Sequence, residues 1–158
     1  MIGNDIVDLA LARKESNWKR KGFLEKIFTD KEQILILNSE NPEIMVWILW
    51  SWKEAVYKIY NRKTEIRAYI PMQLECFDYI NGAGKVSCFG ETYFTETKIT
   101  TDYILTIAVV NIEDFNRISV LNTSFGFIKN NGIPLLSQNN MPVSISHHGR
   151  FQQIITLK

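Results

Sequence analysis

The sequence predicts an α+β protein in which an N-terminal strand and helices are followed by an antiparallel sheet. Helix signals occur only in the first 62 residues, and the segments after Lys63 are rich in β-branched and aromatic residues. Asn-Gly turn signals separate several of these later segments. Helices first and strands afterwards favour the α+β class. The length of 158 residues, without repeat or linker, predicts a single domain spanning 1–158.

A predicted strand and a predicted helical stretch come before a clear start signal for the next helix. Residues 1–9 are dominated by isoleucine and valine and predict a short strand, and a helical stretch follows through 23–28. Thr29 is a suitable N-cap, and Glu32 three residues later completes a capping box. We therefore expect a second helix that runs through Leu37.

The longest predicted helix begins at Asn41-Pro42 and ends near Arg62. Asparagine is a preferred N-cap, and proline at the first helical position loses no useful donor. One helix face consists of Ile44, Ile48, Ser51, Ala55 and Ile59. An adjacent face consists of Trp47, Trp50, Glu54 and Lys58.

Strands are predicted for the remainder of the chain. Five segments have strand composition: 66–70, 74–80, 85–94, 103–110 and 119–128. Turn residues stand at 81–84 and 130–132. A last pair of strands, 143–146 and 151–157, is joined across 147–150.

Composition excludes several classes of protein. The formal net charge of +1 argues against a strongly basic nucleic-acid-binding protein, so we expect no nucleic-acid partner. The most apolar run, 44–52, is too short to span a membrane, and residues 1–11 lack a signal-peptide pattern. We expect a cytoplasmic protein without membrane attachment. Cys76 and Cys88 lie in strand-like stretches and are expected to be buried thiols, not zinc ligands.

Two carboxylates are the best candidates for chemistry. Glu54 and Lys58 are four residues apart on one helix face, which by itself indicates a surface ion pair. Trp50 and Trp52 beside Glu54 predict partial desolvation, and a desolvated carboxylate usually has a partner or a metal. Asp5 is either a strand-end carboxylate bonded to local backbone or a second metal ligand. Two carboxylates from separate elements suit Mg²⁺, which takes few protein oxygens.

Two further features suggest binding. The serines and histidine that end the strand 143–147 suit a phosphate, although a histidine at a strand end is more often structural. A basic run lies either on a solvated helix face or in a patch that docks an acidic partner. It consists of Arg13, Lys14, Lys19, Arg20 and Lys21.

Four segments, in order, match a family pattern. They are Gly3-Asn4-Asp5-Ile6, Phe23–Thr29 with Glu32, Trp52-Lys53-Glu54-Ala55-Val56-Tyr57-Lys58, and Asn131–Pro134 followed by Val143-Ser144-Ile145-Ser146-His147. Together they resemble the 4′-phosphopantetheinyl transferase superfamily, particularly its short holo-acyl-carrier-protein-synthase type. The match leaves 65–127 unaligned. Leu49 stands where members often have arginine, and 60–63 replace a glycine-containing loop.

The resemblance implies a magnesium-dependent enzyme that moves 4′-phosphopantetheine from coenzyme A to a serine of an apo acyl or peptidyl carrier protein, releasing 3′,5′-adenosine bisphosphate. It implies that Asp5 and Glu54 bind Mg²⁺ and that Glu54 takes the serine proton, directly or through a metal-bound water. Lys58 would offset phosphate charge, and the basic run would dock the carrier protein. Contacts to coenzyme A are expected from Lys53, Lys58, Ser144, Ser146 and His147.

Two alternatives remain for this sequence. One is a non-catalytic module of the same fold that binds a carrier protein or a coenzyme A derivative. The other is a different magnesium-dependent enzyme acting on a nucleotide pyrophosphate. The resemblance also implies a trimer with sites between subunits, unless the added middle segment covers the same edge. All of these assignments require Asp5 and Glu54 to meet in one cleft.

Overall fold

A computed structural model of the chain describes residues 1–122 and 124–158, and it has the predicted α+β composition. Two short 3₁₀ turns, Pro71–Gln73 and Ile112–Arg117, connect parts of the fold. In the described residues, no helix is long and apolar enough to span a membrane. The helices are α1 (Leu9–Glu15), α2 (Phe23–Ile27), α3 (Asp30–Leu37) and α4 (Pro42–Thr64). The strands are β1 (Ile2–Asp8), β2 (Leu74–Ile80), β3 (Ala83–Cys88), β4 (Glu91–Ile99), β5 (Tyr103–Val109), β6 (Ile118–Leu121), β7 (Phe127–Asn130), β8 (Ile133–Leu136), β9 (Val143–His148) and β10 (Phe151–Leu157).

The main sheet has five antiparallel strands in the order β1-β5-β4-β3-β2, and α4 packs across it. A second sheet has the order β6-β10-β9, and β7 pairs with β8 as a hairpin. The predicted apolar face of α4 fills the core, since Ile48, Ala55 and Ile59 are almost completely buried there. This packing confirms the apolar helix face predicted from the sequence.

The strand β1 approaches α4 closely at Gly3. A Cβ atom built on Gly3 would lie 2.0 Å from the Ala55 carbonyl oxygen, so no other residue fits at this crossing. Because strand and helix touch backbone to backbone here, the next residues of β1 lie beside the helix face that carries Glu54 and Lys58. The glycine therefore sets the depth at which Asp5 meets α4.

The edge of β1 is closed by side chains of β9, not by a backbone ladder. Every second amide of β1 donates to a β9 side chain, which satisfies the exposed donors of an edge strand. Side chains two residues apart on β9 face the same side, which allows this repeated pairing. The three bonds join Asn4 N to Ser144 Oγ at 3.1 Å, Ile6 N to Ser146 Oγ at 2.8 Å, and Asp8 N to His148 Nδ1 at 2.9 Å.

Several predicted elements are confirmed. β2 has the predicted bounds, and β9 and β10 form the predicted last pair. Thr29 caps α3 with both halves of the capping box formed, and the Asn41 side chain caps α4. Both cysteines are buried free thiols.

Other predicted elements are wrong in detail. The predicted strand 66–70 has no regular structure, because the left-handed Glu65 ends α4 and the Asn61 side chain bonds the Ile66 carbonyl. The predicted strand 85–94 is two strands, since a turn at 89–90 with positive φ angles separates β3 from β4. Likewise 119–128 contains parts of β6 and β7, and position 123 lies outside the described residues.

The helical stretch before Thr29 is interrupted between α1 and α2. Residues 16–22 are not helical, and Gly22 has a φ of +84°. The basic run therefore does not lie on one helix face, as one prediction required. Arg13 and Lys14 end α1, whereas the remaining members lie in the connection: Lys19, Arg20 and Lys21.

Candidate active site

A cleft of about 340 Å³ opens where β1, α4 and the α1–α2 region meet the end of β9. The two predicted carboxylates, Asp5 and Glu54, both line it. Trp47 and Trp50 of α4 form part of its wall. The structure thus brings together two acidic side chains that are distant in the sequence, in a partly apolar environment.

Two side chains, from β9 and α4, hold Asp5 in place. Its carboxylate accepts a hydrogen bond from Ser146 Oγ at 3.2 Å and lies 3.7 Å from Lys58 Nζ. Its side chain is only 14% exposed. Burial raises the pKa of Asp5 to about 7; the Lys58 ammonium opposes this shift, and Glu54 adds to it. Burial therefore disfavours the ionised form of Asp5 even though the Lys58 ammonium is close to it.

Glu54 lies on α4, one turn before Lys58, and is half-buried. Burial raises the pKa of Glu54, while Lys58 and the Tyr69 hydroxyl lower it. The Tyr69 hydroxyl is buried beside this carboxylate, and no hydrogen bond of normal geometry reaches it from the described residues. Sequence reasoning missed Tyr69 because the segment that carries it was expected to be a strand.

Lys58 connects the carboxylates to two strands. Its ammonium donates to the Asn4 carbonyl at 2.6 Å and to the Ile145 carbonyl at 3.4 Å. Burial lowers the pKa of Lys58, and the charges of Asp5 and Glu54 oppose this. Lys58 also lines a second cavity of about 330 Å³ together with Lys129. Lys58 therefore lies between the two carboxylates and this second cavity.

Lys53 does not have the predicted position at a nucleotide. It is completely buried and makes three bonds, to the carbonyls of Ile27 at 2.9 Å and Pro71 at 2.8 Å and to Glu32 Oε2 at 2.8 Å. An ammonium has only three donors, so none remains for coenzyme A. The predicted contact between Lys53 and coenzyme A is therefore corrected: position 53 lies on the face of α4 that packs against the core.

The serines of β9 also differ from expectation. Ser144 is completely buried, and its hydroxyl donates to Asn4 Oδ1 at 2.7 Å and accepts from the backbone amide of Asn4. A direct contact between Ser144 and coenzyme A is therefore excluded. Ser146 is 4% exposed and bonds Asp5, which makes it a support for the carboxylate and not an open phosphate ligand. His147 is exposed and lines the cleft, where it can reach a substrate.

A second polar cluster, which the sequence did not indicate, fixes the end of the cleft. Asp8 caps α1 and accepts two side-chain bonds from Arg150, at 2.9 and 3.0 Å. These bonds hold the pKa of Asp8 well below its ordinary value. His148 Nε2 lies 3.5 Å from a Glu15 carboxylate oxygen. The position of Asp8 between a predicted strand and a predicted helix could have identified it as an N-cap, but nothing in the sequence indicated its pairing with Arg150.

The basic run lies at the rim of the cleft. Arg13 donates to Glu43 at 2.5 Å, Lys14 is exposed at the end of α1, and the other members are exposed on the α1–α2 connection: Lys19, Arg20 and Lys21. Phe23 and Ile27, which directly follow this connection, line the cleft. An acidic surface that docks on the run would therefore lie close to Asp5 and Glu54.

The two carboxylates fit a Mg²⁺ ion. Mg²⁺ commonly takes one or two protein carboxylates and completes its octahedron with waters and phosphate oxygens. In the part of the chain that the structure describes, no group of three or more His, Cys, Asp and Glu side chains could hold a metal, so water molecules or phosphate oxygens would complete the coordination of a cation held by Asp5 and Glu54. Burial is the main cause of the raised pKa of Asp5, and a bound cation would favour the ionised form of this carboxylate.

Comparison with protein families gives one match. The family model of the 4′-phosphopantetheinyl transferase superfamily matches residues 1–108, which include Asp5, Glu54 and Lys58. Strands β6 to β10 lie beyond the matched region. A comparison with curated protein sequences finds no match.

Solved structures have the same fold. The holo-acyl-carrier-protein synthase of Helicobacter pylori, solved in complex with coenzyme A, has a TM-score of 0.56 at 16% identity, and the match covers 70% of this chain and 100% of that one. For the Neisseria meningitidis synthase the TM-score is 0.54 at 19% identity, with 70% and 96% covered. For the Thermotoga maritima synthase it is 0.54 at 14% identity, with 89% and 83% covered.

Proposed function

Because the chain belongs to the 4′-phosphopantetheinyl transferase superfamily, we propose that it transfers 4′-phosphopantetheine from coenzyme A to a serine of an apo acyl or peptidyl carrier protein. The reaction releases 3′,5′-adenosine bisphosphate and depends on Mg²⁺. The observation that carries this proposal is the shared cleft of Asp5 and Glu54, with Lys58 next to both. The chain acts as one domain spanning 1–158.

The reaction requires little covalent chemistry from the protein. The serine oxygen attacks the pantetheine-side phosphorus of coenzyme A, and the bond from this phosphorus to the bridging oxygen of the pyrophosphate breaks. Orientation and charge neutralisation provide most of the rate acceleration in such displacements. Mg²⁺ held by Asp5 and Glu54 would neutralise charge on the pyrophosphate.

Each of the three charged residues has a defined part. Glu54, whose pKa is raised by burial, accepts the serine proton, directly or through a water molecule, as the new bond to phosphorus forms. Lys58 offsets the charge that develops on the leaving 3′,5′-adenosine bisphosphate. Asp5, fixed by Ser146 and Lys58, holds the opposite side of the cation site. His147 at the cleft contacts the nucleotide part of coenzyme A.

The carrier protein docks on the exposed basic residues of the α1–α2 connection. An acidic partner surface would be steered to this rim, and its serine would then enter the cleft beside Glu54. The conformation of residues 16–22 supports docking over a solvated helix face, because the connection is not helical, exposes its basic side chains and leads directly into Phe23, which lines the cleft.

The direct test is the intact mass of an apo carrier protein after incubation with the protein, coenzyme A and Mg²⁺. Transfer increases the mass by the phosphopantetheine arm, and a carrier protein whose acceptor serine is replaced by alanine stays unchanged. Omission of Mg²⁺, or addition of a chelator, should stop the reaction. Binding of coenzyme A and carrier protein without any mass increase would instead identify a non-catalytic module.

A further inference from the structure

Tyr69 lies outside α4, and its side chain stands against Glu54 and packs on two aromatic rings of that helix. Its hydroxyl is buried, and no described residue satisfies it with a hydrogen bond of normal geometry. A buried hydroxyl without a partner is costly, so such a group in a native fold usually has a role. The Glu54 carboxylate is within reach of this hydroxyl and is an acceptor of suitable chemistry.

The ring of Tyr69 is held in place by α4 itself. Trp50 packs on it edge to face, with ring centroids 6.1 Å apart, and Tyr57 does the same at 5.1 Å. These two residues precede and follow Glu54 by about one helical turn, so the three side chains lie on one face of the helix. The hydroxyl is therefore held next to the carboxylate by packing that does not depend on the hydroxyl.

The chain around Tyr69 is fixed at both ends. Before it, the Asn61 side chain donates to the Ile66 carbonyl at 2.8 Å. After it, the Pro71 carbonyl accepts from Lys53 Nζ at 2.8 Å, and Lys53 is in turn bonded to the buried Glu32. The buried Lys53 thus supports the site indirectly, since it anchors the segment that carries Tyr69.

We infer that Tyr69 is a positioning residue whose hydroxyl donates a hydrogen bond to one oxygen of the Glu54 carboxylate, so that the other oxygen faces the cleft and binds the cation. The inference rests on the proposed function, because it deepens the role of the same carboxylate pair. A supporting donor of this kind fixes a ligating group before the metal arrives, and its loss typically lowers metal affinity by roughly 10- to 100-fold.

The test is divalent cation binding to the protein without substrates. Mn²⁺ serves as the probe, because free Mn²⁺ can be counted by electron paramagnetic resonance. Tyr69→Phe keeps the ring and removes only the hydroxyl, and it should raise the dissociation constant for Mn²⁺ by roughly 10-fold or more. Tyr57→Phe removes a neighbouring hydroxyl from the same aromatic group and should leave Mn²⁺ binding unchanged.

A double-variant cycle separates positioning from packing. If Tyr69 acts through Glu54, the loss of affinity caused by Tyr69→Phe should disappear in a Glu54→Gln background, whereas a general packing defect would persist there. Equal Mn²⁺ affinity of Tyr69→Phe and wild type would overturn the inference and leave the proposed function intact. Failure of the wild type to bind any Mn²⁺ would overturn both the inference and the magnesium site of the proposed function.

Discussion

Lys53 and Glu54 are adjacent in the sequence, yet their charged groups lie in opposite environments. The Lys53 ammonium is completely buried and bonded to Glu32, whereas the Glu54 carboxylate lines the open cleft. Successive residues of a helix point about 100° apart, so neighbours at the boundary of the apolar face separate into core and site. This division determines which variants should affect stability and which should affect catalysis.

Replacement of Glu54 should remove catalysis and preserve the fold. Glu54→Ala eliminates the group assigned to the cation and to the serine proton, and we expect transfer to fall by at least about 100-fold. The free energy of unfolding should not decrease, because burial in the folded protein disfavours the ionised form of Glu54 and the substitution removes this cost. Intact-mass kinetics measure the first effect and thermal unfolding the second. Near-normal transfer by this variant would remove Glu54 from the mechanism.

Replacement of Lys53 should have the opposite result. Lys53→Met leaves the buried Glu32 carboxylate without its cation, and breaking a buried pair typically costs about 3–5 kcal/mol. Denaturant unfolding measures this loss, which the second change Glu32→Gln should partly restore. The Michaelis constant for coenzyme A, measured on the folded fraction, should stay near the wild-type value. A large increase in the Michaelis constant for coenzyme A, without a change in the free energy of unfolding, would instead support a contact between Lys53 and the nucleotide.

The two buried serines of β9 form a matched pair. Ser144→Ala and Ser146→Ala each leave a β1 amide without its acceptor, so both should cost about 1–3 kcal/mol. Only Ser146 also bonds the Asp5 carboxylate. Transfer should therefore fall by roughly 10-fold in Ser146→Ala and change little in Ser144→Ala. Equal activity of the two variants would contradict a supporting role for Ser146.

The basic connection should control recognition of the carrier protein. Reversal of charge in Lys19→Glu combined with Arg20→Glu should raise the Michaelis constant for the carrier protein by at least about 10-fold, and the constant for coenzyme A should stay unchanged. The difference from wild type should shrink as salt screens the charges. Lys98→Glu, an exposed position on β4, is the control. An equal effect of the control variant would indicate general charge and not a docking site.

Asp8 should make stability dependent on pH in the acidic range. Its folded-state pKa lies below the ordinary value of 3.8, mainly because of the Arg150 hydrogen bonds, so its contribution is complete above that value and disappears as the pH falls further. Asp8→Asn keeps an N-cap acceptor and removes the charge. The melting temperature of the variant should be several degrees below wild type from pH 8 to 5, and the gap should narrow below about pH 4. A gap that is constant to pH 3 would exclude the charge as its cause.

Much of the helical half follows from the sequence because its signals are local. The capping box at Thr29 and the Asn41-Pro42 start each depend on groups within one helical turn, and the structure has both. The strands after α4 are less predictable. The composition of 66–70 is typical of a strand, but no strand among the described residues pairs with it, and pairing depends on partners far along the chain.

The candidate site, too, could be predicted only in part from the sequence. The sequence by itself determined the α+β class and the pair Asp5 and Glu54, since carboxylates in apolar or aromatic surroundings are visible as residue types at a given spacing. Only the tertiary structure decided that Lys53 is a core residue, that the β9 serines bond β1, and that Tyr69 stands at Glu54. The physical reason is that hydrogen-bond partners and burial arise when distant segments pack, and neither is encoded in the local pattern.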